Sequence, residues 1–506
     1  MTANPQPRTV RLNPDDDVVL AVDGLEPGIA VDGVTVAEKV PRGHKLAARD
    51  LAEGETIRKF GQAIGVALRP IAAGEWVHEH NCGMGDHDRD YRFGEDARSL
   101  PPAEQAETFQ GFRRANGRVG TRNYVGILTS VNCSASVARF VAREVERSGM
   151  LDDFPNVDGV IPLVHATGCG MAAHGPGFDT LKRSLWGYAS NPNMAAVVMI
   201  GLGCEVFQIA MLKDAYGIQE GETFRTLTIQ QSGGTRRAVE AGVAAVREML
   251  PVAERARREA CPASELTLAL QCGGSDGYSG LTANPALGVA ADLLVRQGGT
   301  AILSETPEIY GAEHLLTRRA ASREVGEKLL GVIRWWEEYA ARMGGDLNNN
   351  PSPGNKAGGL TTILEKSLGA AMKGGTSPLM DVVGYAEPVT TKGFVFMDTP
   401  GFDPVSATGQ VAGGANVLCF TTGRGSAYGC KPTPSIKLAS TTDLFLRMRD
   451  DMDLNCGDIL DGVSLAEKGE EIFREILAVA SGRRTRSECL GYGDAEFVPW
   501  QLGATM

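Results

Sequence analysis

Residues 124–147 read YVGILTSVNCSASVARFVAREVER, and this stretch decides the fold class. Its opening run, 124–130, is apolar and short, which suits a strand buried on both faces. A helical stretch follows over 134–147. The same pairing extends outward in both directions. Runs at 160–164 (VIPLV), 195–202 (AAVVMIGL), 266–270 (LTLAL) and 300–303 (TAIL) read as further buried strands, with helices over 235–249 and 323–343. Strands alternating with helices from residue 109 onward imply an α/β body with mostly parallel sheets.

Towards the C-terminal side, the segment 346–375 (DLNNNPSPGNKAGGLTTILEKSLGAAMKGG) is an Asn/Pro/Gly loop feeding a helix. Strands over 393–397 and 415–421 and a helix over 465–480 come next. Towards the N-terminal side the pattern differs. Short apolar pieces separated by turns (TVRLN, DVVLAVDGL, VTVAEKV, ETIRKFG, AIGVALRPI) predict a small β-rich module. The expected division is 1–82 for that module, 83–108 for a polar linker with a Pro-Pro pair, 109–260 for a central α/β domain and 261–506 for a C-terminal one. The Arg/Glu-rich stretch 254–259 marks the last boundary.

A chain of 506 residues exceeds what a single core supports, so several domains are expected. The apolar share of 43% and charged share of 22% are those of a globular protein. No run approaches the ~20 apolar residues of a membrane helix, and the first residues show no targeting pattern, so the expected location is the cytoplasm. A net charge of −12 spread along the chain disfavours nucleic acid and anionic membranes as partners. A homo-oligomer is compatible with this composition. Small anionic substrates are not excluded, because they respond to the local charge of a pocket. The 63 glycines, many in GG and GxG loops, let backbone approach a ligand closely.

Ten cysteines without a secretion signal do not read as a disulfide framework. Four of them, Cys133, Cys169, Cys204 and Cys272, stand just after apolar strands at glycine turns or helix starts. In open parallel sheets such positions converge, and converging thiolates suit a soft metal or an iron–sulfur cluster. Histidine is scarce, yet His78 and His80 form HEH, His44 sits in RGHK and His165 lies just before Cys169. Three polar loops suit a polyhydroxy or anionic ligand: 272–285 with Ser275 and Asp276, 348–359 with Asn355 and Lys356, and 421–430 with Arg424 between glycines. Neither a P-loop nor a strict dinucleotide fingerprint is present. Glu305, directly after the 300–303 strand, is a candidate base or metal ligand. Glu308 and Glu313 read as acids favoured in a helix N-terminal turn.

At these residues the sequence resembles the altronate and galactarate dehydratase family. The resemblance runs through RGHKLA, WVHEHN, RRANGRVGTRN, IGLGCE, CGGSDGYSG, TANPALG, NPSPGNKAGG and TTGRGSAYG, nearly the whole chain. It implies that the first module is a SAF domain and that the activity is iron-dependent dehydration of a sugar acid to a 2-keto-3-deoxy acid. The iron is expected as Fe(II) or as a cluster on the four cysteines. TPEIYGAEHLL is similar to the altronate enzymes, whereas CPASELTLALQCGGSDGYSG and DMDLNCG are similar to the galactarate enzymes, and the HEHN segment tips the expectation to altronate. A sulfolactate sulfo-lyase and a non-catalytic sugar-acid binder are the alternatives. The expected roles are His165 or Lys356 as base, His44 or His80 as proton donor to the leaving group, and Arg424, Asn355, Ser275 and Asp276 as substrate holders.

Overall fold

Residues 6–85 and 89–506 are described by a computed structural model. The N-terminal residues pair as short antiparallel strands, because turns interrupt every apolar run. Thr9–Val10, Val18–Ala21, Lys45–Ala47 and Trp76–Val77 form one sheet, and Thr56–Lys59, Gln62–Ala67 and Cys82–Gly83 form another. Val18, Ile57, Ile64 and Val77 share a core with Leu368 and Ala371 of the C-terminal body. The β module is therefore packed onto the body. Residues 89–107 carry no helix or strand, and Tyr91 ties them down by donating its hydroxyl to Glu313 at 2.6 Å.

The α/β body holds two wholly parallel sheets. In the smaller, Tyr124–Thr129 lies between Gly159–Leu163 and Met194–Gly201, and Phe224–Thr228 forms an edge. The larger has seven strands in the order Leu379–Val383, Gly393–Met397, Thr300–Leu303, Thr267–Cys272, Val417–Thr422, Ser435–Ala439, Leu454–Asn455. Helices cover both faces of each sheet, so the central strands are buried along nearly their whole length and do not alternate. Pro176–Ala189 from one unit and Asp403–Ala412 from the other pack together in a layer between the two sheets.

The two sheets are riveted at their N-terminal edges. Asn191 donates its side-chain amide to the carbonyls of Val411 (2.9 Å) and Ala415 (3.0 Å), and Asn193 donates to those of Asn416 (3.2 Å) and Pro432 (3.1 Å). The C-terminal edge of each sheet, at the far end of its strands, therefore faces away from this seam. The 254–259 boundary takes a form the sequence did not predict. Helix Thr235–Glu254 ends there, and Arg258–Pro262 pairs antiparallel with Thr108–Arg113, so the strands leading into and out of the central unit lie side by side.

Candidate functional site

The large sheet gathers a buried, mixed-charge cluster at its C-terminal edge. Cys272 ends one strand and Glu305 follows the next, and with Glu308 their ligand atoms lie within 4.8 Å of one another. Lys373 Nζ stands 2.8 Å from Cys272 Sγ and 3.7 Å from Glu305 Oε2. Lys366 Nζ donates to Glu308 Oε1 at 2.6 Å and to Asn350 Oδ1 at 2.7 Å, while Asn350 also donates to Glu308 at 2.9 Å. Asp403 reaches the neighbouring loop: a Cβ on Gly273 would lie 2.2 Å from its Oδ2.

Glu305 is strained. Its φ of +69° is a left-handed conformation that side chains other than glycine rarely adopt. The backbone N–H of Glu305 donates to Thr399 Oγ1 at 2.9 Å, and that of Thr306 to the Thr399 carbonyl at 3.0 Å, which holds the conformation. Its Oε1 is buried without a hydrogen-bond partner. Burial, then Glu308, raises the Glu305 carboxyl well above its ordinary range. Burial acts the same way on Glu308, but Lys366 and Lys373 overcome it and hold that carboxyl below its ordinary value. Asp403 is pushed up to about 6 by burial and by Glu308. Three neighbouring carboxyl groups thus differ sharply in proton affinity. Burial pushes the Cys272 thiol up to about 12.

The polar loops meet beside this cluster, under the SAF-like module. The Gly277 N–H donates to the Gly358 carbonyl at 2.8 Å and the Arg424 N–H to the Gly274 carbonyl at 2.8 Å. From the module, His78 Nε2 lies 2.9 Å from the Lys356 carbonyl and His44 Nε2 lies 3.4 Å from that of Ala357. His44 Nδ1 accepts from Trp76 Nε1 at 3.1 Å, so both of its nitrogens are engaged. Burial, with His78 and Lys45 near, pulls His44 down to about 4 and keeps it neutral at ordinary pH. His44 thus meets the loop backbone through Nε2 and Trp76 through Nδ1. His80 is exposed against Trp76, and Lys356 pairs with Glu79 at 3.0 Å on the rim.

Two of the four expected substrate holders make bonds within and between the loops. Asp276 Oδ1 accepts from the Tyr278 N–H (3.1 Å), the Ser279 N–H (2.9 Å) and the Ser279 hydroxyl (2.9 Å), and Ser440 Oγ donates to its Oδ1 at 3.1 Å. Asn355 donates to the Ser275 carbonyl at 2.8 Å and its Oδ1 accepts from Ser352. These bonds engage Asp276 Oδ1, Asn355 Oδ1 and one N–H of the Asn355 amide. Arg424 is exposed, and its guanidinium has neither hydrogen bond nor ion pair among the described residues, so it is free to meet an anion.

The four expected metal-ligating cysteines separate into three and one. Cys133, Cys169 and Cys204 are exposed beyond the C-terminal edge of the small sheet, in the segments that follow three adjacent strands, whereas Cys272 is buried on the large one. The three loops interlock: the Asn132 N–H donates to the Thr167 carbonyl (3.0 Å) and the Phe207 N–H to that of Gly168 (2.9 Å). Glu205 joins two of them by accepting from Ser130 Oγ and the Gly203 N–H, each at 2.6 Å. His165 sits behind, with Nε2 2.9 Å from the Thr129 carbonyl and Nδ1 accepting from the Thr167 N–H at 3.3 Å. Burial pulls it down to about 4. Backbone groups thus engage both nitrogens of His165, behind the thiol loops. The three sulfurs are not all within 4.8 Å of one another, as a single ion would require. Ligands on different irons of a cluster stand farther apart.

Sequence reasoning missed Lys366, Lys373, Asn350, Glu308 and Asp403. One signal was available, since Lys366 and Lys373 stand seven positions apart, two turns of a stretch otherwise apolar on that side.

A β module set over a two-sheet α/β body, with thiols at the C-terminal edge of the small sheet and a carboxyl–lysine cluster at that of the large one, suits an acid–base elimination enzyme. Family models agree along the chain: an altronate/galactarate dehydratase SAF domain over residues 7–85, a D-galactarate dehydratase/altronate hydrolase second domain over 111–254, and a D-galactarate/altronate dehydratase C-terminal domain over 263–505. The chain belongs to the altronate/galactarate dehydratase family and is a hydro-lyase. It is 41% identical to the galactarate dehydratase (L-threo-forming) of Escherichia coli (strain K12), covering 94% of this chain and 93% of that one. Identity to the altronate dehydratase of Bacillus subtilis (strain 168) is 35%, over 95% and 96%. A (2R)-sulfolactate sulfo-lyase subunit beta of Chromohalobacter salexigens matches at 35% over 79% of this chain and 98% of its own. No helix among the described residues is long and apolar enough to cross a membrane.

Proposed function

We propose that the chain removes water from a sugar acid to give the 2-keto-3-deoxy acid, with galactarate ahead of altronate as substrate. The order follows the 41% identity to a galactarate enzyme against 35% to an altronate enzyme, and it reverses the order drawn from the HEHN segment. The observation that carries the reaction is the split in proton affinity among Glu305, Glu308 and Asp403. Removing a proton beside a carboxylate needs a base, and releasing hydroxide from the next carbon needs an acid. Environments that drive neighbouring carboxyl groups apart supply both.

In this reading Asp403, ionised above about pH 6, takes the proton. Glu305, held in its acid form, gives one to the departing hydroxide. Lys366 and Lys373 stabilise the charge that builds on the substrate carboxylate. Arg424 and Ser275 hold the far end, on loops that Asp276 and Asn355 brace. His80 and Lys356 close the rim, and His44 fixes the module over it.

Iron is part of the proposal. The donors on the small sheet fit it, being three exposed thiols on one rigid edge with no hydrogen bond among the described residues. Cys133, Cys169 and Cys204 would hold it. Cys272 fits less well, because its sulfur faces the Lys373 ammonium. Bound iron would supply Lewis acidity toward carboxylate and hydroxyl oxygens.

The test is an anaerobic assay of iron-loaded protein with galactarate, altronate and sulfolactate. Formation of a 2-keto-3-deoxy acid, fastest from galactarate, is expected. Turnover of sulfolactate alone, or of none of the three, refutes the reading. Acid-labile sulfide and a broad sulfur-to-iron absorbance would distinguish a cluster from a single ferrous ion.

A further inference from the structure

The N-terminal edges of the two sheets border a cleft on the face opposite the loops described above. Its volume is about 690 Å³. It adjoins a second hollow of about 610 Å³, and the two share Asn116, Trp186, Ser190 and Pro192. Its walls come from the 116–119 turn, helix Pro176–Ala189 and the loops that lead into strands Gly393–Met397 and Val417–Thr422. Spaces of this size hold small organic ligands.

The charge of the cleft is opposite to that of the chain. Three cations, Arg118, Arg183 and Lys392, line it with one carboxylate, Glu265, in a chain of net charge −12. None of this is accounted for by the dehydration chemistry. Arg118 donates Nη1 to the Ser190 carbonyl at 3.0 Å. It also lies so close over Gly414 that a Cβ there would stand 3.1 Å from Nη2. Arg118 pairs with no carboxylate among the described residues. Lys392 donates to the Ser264 carbonyl at 2.6 Å and likewise has no acidic partner. Arg183 binds Glu387 through Nη1 at 3.0 Å but leaves Nε buried with no hydrogen-bond partner. An orphaned buried donor is costly unless something else satisfies it. Trp186, stacked on Tyr216 at 5.3 Å between centroids, adds a flat apolar wall beside these cations.

We propose that this cleft binds a small organic oxyanion, with its carboxylate or phosphate held by Arg118, Arg183 and Lys392 and its body laid along Trp186. The planar guanidinium groups suit either acid. Arg118, Arg183 and Trp186 belong to the central unit, while Lys392 and Gly414 belong to the C-terminal one. A ligand there touches both units and stabilises their packing by mass action. The site is independent of the dehydratase reading, because it stands at the other edge of both sheets.

Isothermal titration of the iron-loaded protein with inorganic phosphate, adenosine monophosphate and succinate tests this. The two organic probes distinguish a phosphate ester from a carboxylate, and inorganic phosphate shows what the anion contributes alone. One organic probe is expected to bind at least tenfold more tightly than inorganic phosphate. R118Q and K392Q, made separately, should each weaken it at least tenfold while leaving dehydration without the probe unchanged. Equal binding to both variants and the original protein, or no organic probe tighter than inorganic phosphate, overturns the proposal. Competition of the probe with the sugar acid for one site overturns it too. So does an oligomer that R118Q and K392Q break apart with no change in the titration, since the cleft would then be a face between copies of this chain.

Discussion

Replacing Glu365 with Gln probes how the N-terminal module is held. The Glu365 carboxylate accepts from Lys45 Nζ and Lys59 Nζ, both at 2.8 Å, and from the Thr361 N–H and hydroxyl at 3.0 and 2.8 Å. Its side chain is 1% exposed, and those of the two lysines are 0% and 3% exposed. Glutamine keeps the size and removes the charge, leaving two buried ammonium groups around one amide. Breaking a buried pair from one side costs about 3–5 kcal/mol. At ~1.36 kcal/mol per decade, the opening equilibrium of the module rises roughly 150- to 5,000-fold. Native-state hydrogen exchange reads this directly. Amides of Lys45–Ala47 and Thr56–Lys59 should exchange faster, and those of Tyr124–Thr129 should not. Unchanged exchange in the module, or equal acceleration in both places, refutes the reasoning. Burial opposes ionisation of Glu365, but Lys45 and Lys59 prevail and hold its carboxyl well below the ordinary value. With the folded value depressed, the stabilisation is present above about pH 4.5 and is lost as pH falls through the folded value. The original protein should approach the variant in strong acid.

Glu305→Gln should lower kcat by about 10²- to 10⁴-fold with a far smaller change in KM, measured by steady-state formation of the keto acid. In Asp403→Asn the acid limb of the kcat profile near pH 6 should disappear together with most of the rate, because the group that must be ionised is gone. Arg424→Ala should raise KM by about 10- to 150-fold, the worth of a charged hydrogen bond of roughly 1.5–3 kcal/mol, and leave kcat nearly unchanged. Serine at Cys133, Cys169 or Cys204 should lower bound iron as measured by metal analysis, whereas Cys272→Ser should retain it. Iron lost equally in all four variants would restore the four-cysteine set.

The fold was legible where burial coincides with an unbroken apolar run or a clear helical period. Strands at 124–129, 300–303 and 393–397 were readable because both faces are covered and the apolar run is continuous, and the helix at 323–343 because its buried positions recur at helical spacing. The edge strand Phe224–Thr228 escaped because only Phe224 is fully buried in FRTLT. Ser435–Ala439 escaped because Lys437 interrupts it, although that lysine is buried with Nζ 3.0 Å from the Tyr428 carbonyl. At the site, the loops carrying Ser275, Lys356 and Arg424 were visible through their glycines and polar side chains. What each side chain does there was not visible. Asp276 and Asn355 have the chemistry of a substrate holder, yet their bonds turn inward, and only the packed structure shows which polar atoms are already satisfied. Lys373 was unreadable for the opposite reason, because a lysine in sequence is assigned to solvent and its partners lie 68 and 101 positions away.

The bond from Lys45 to Glu365 also sets a timetable for synthesis. Its two ends are 320 positions apart. At ~5–20 residues per second the module leaves the ribosome roughly 15 to 65 s before its counter-charge exists. During that interval Lys45 and Lys59 face water, and the apolar side that will meet Leu368 is uncovered. The strands can pair in that time, but the module has nothing to dock on. The central unit, whose flanking strands Thr108–Arg113 and Arg258–Pro262 close on each other, is complete first. The first-made part of this enzyme therefore waits for the segment around residue 365 before it is fixed over the loops.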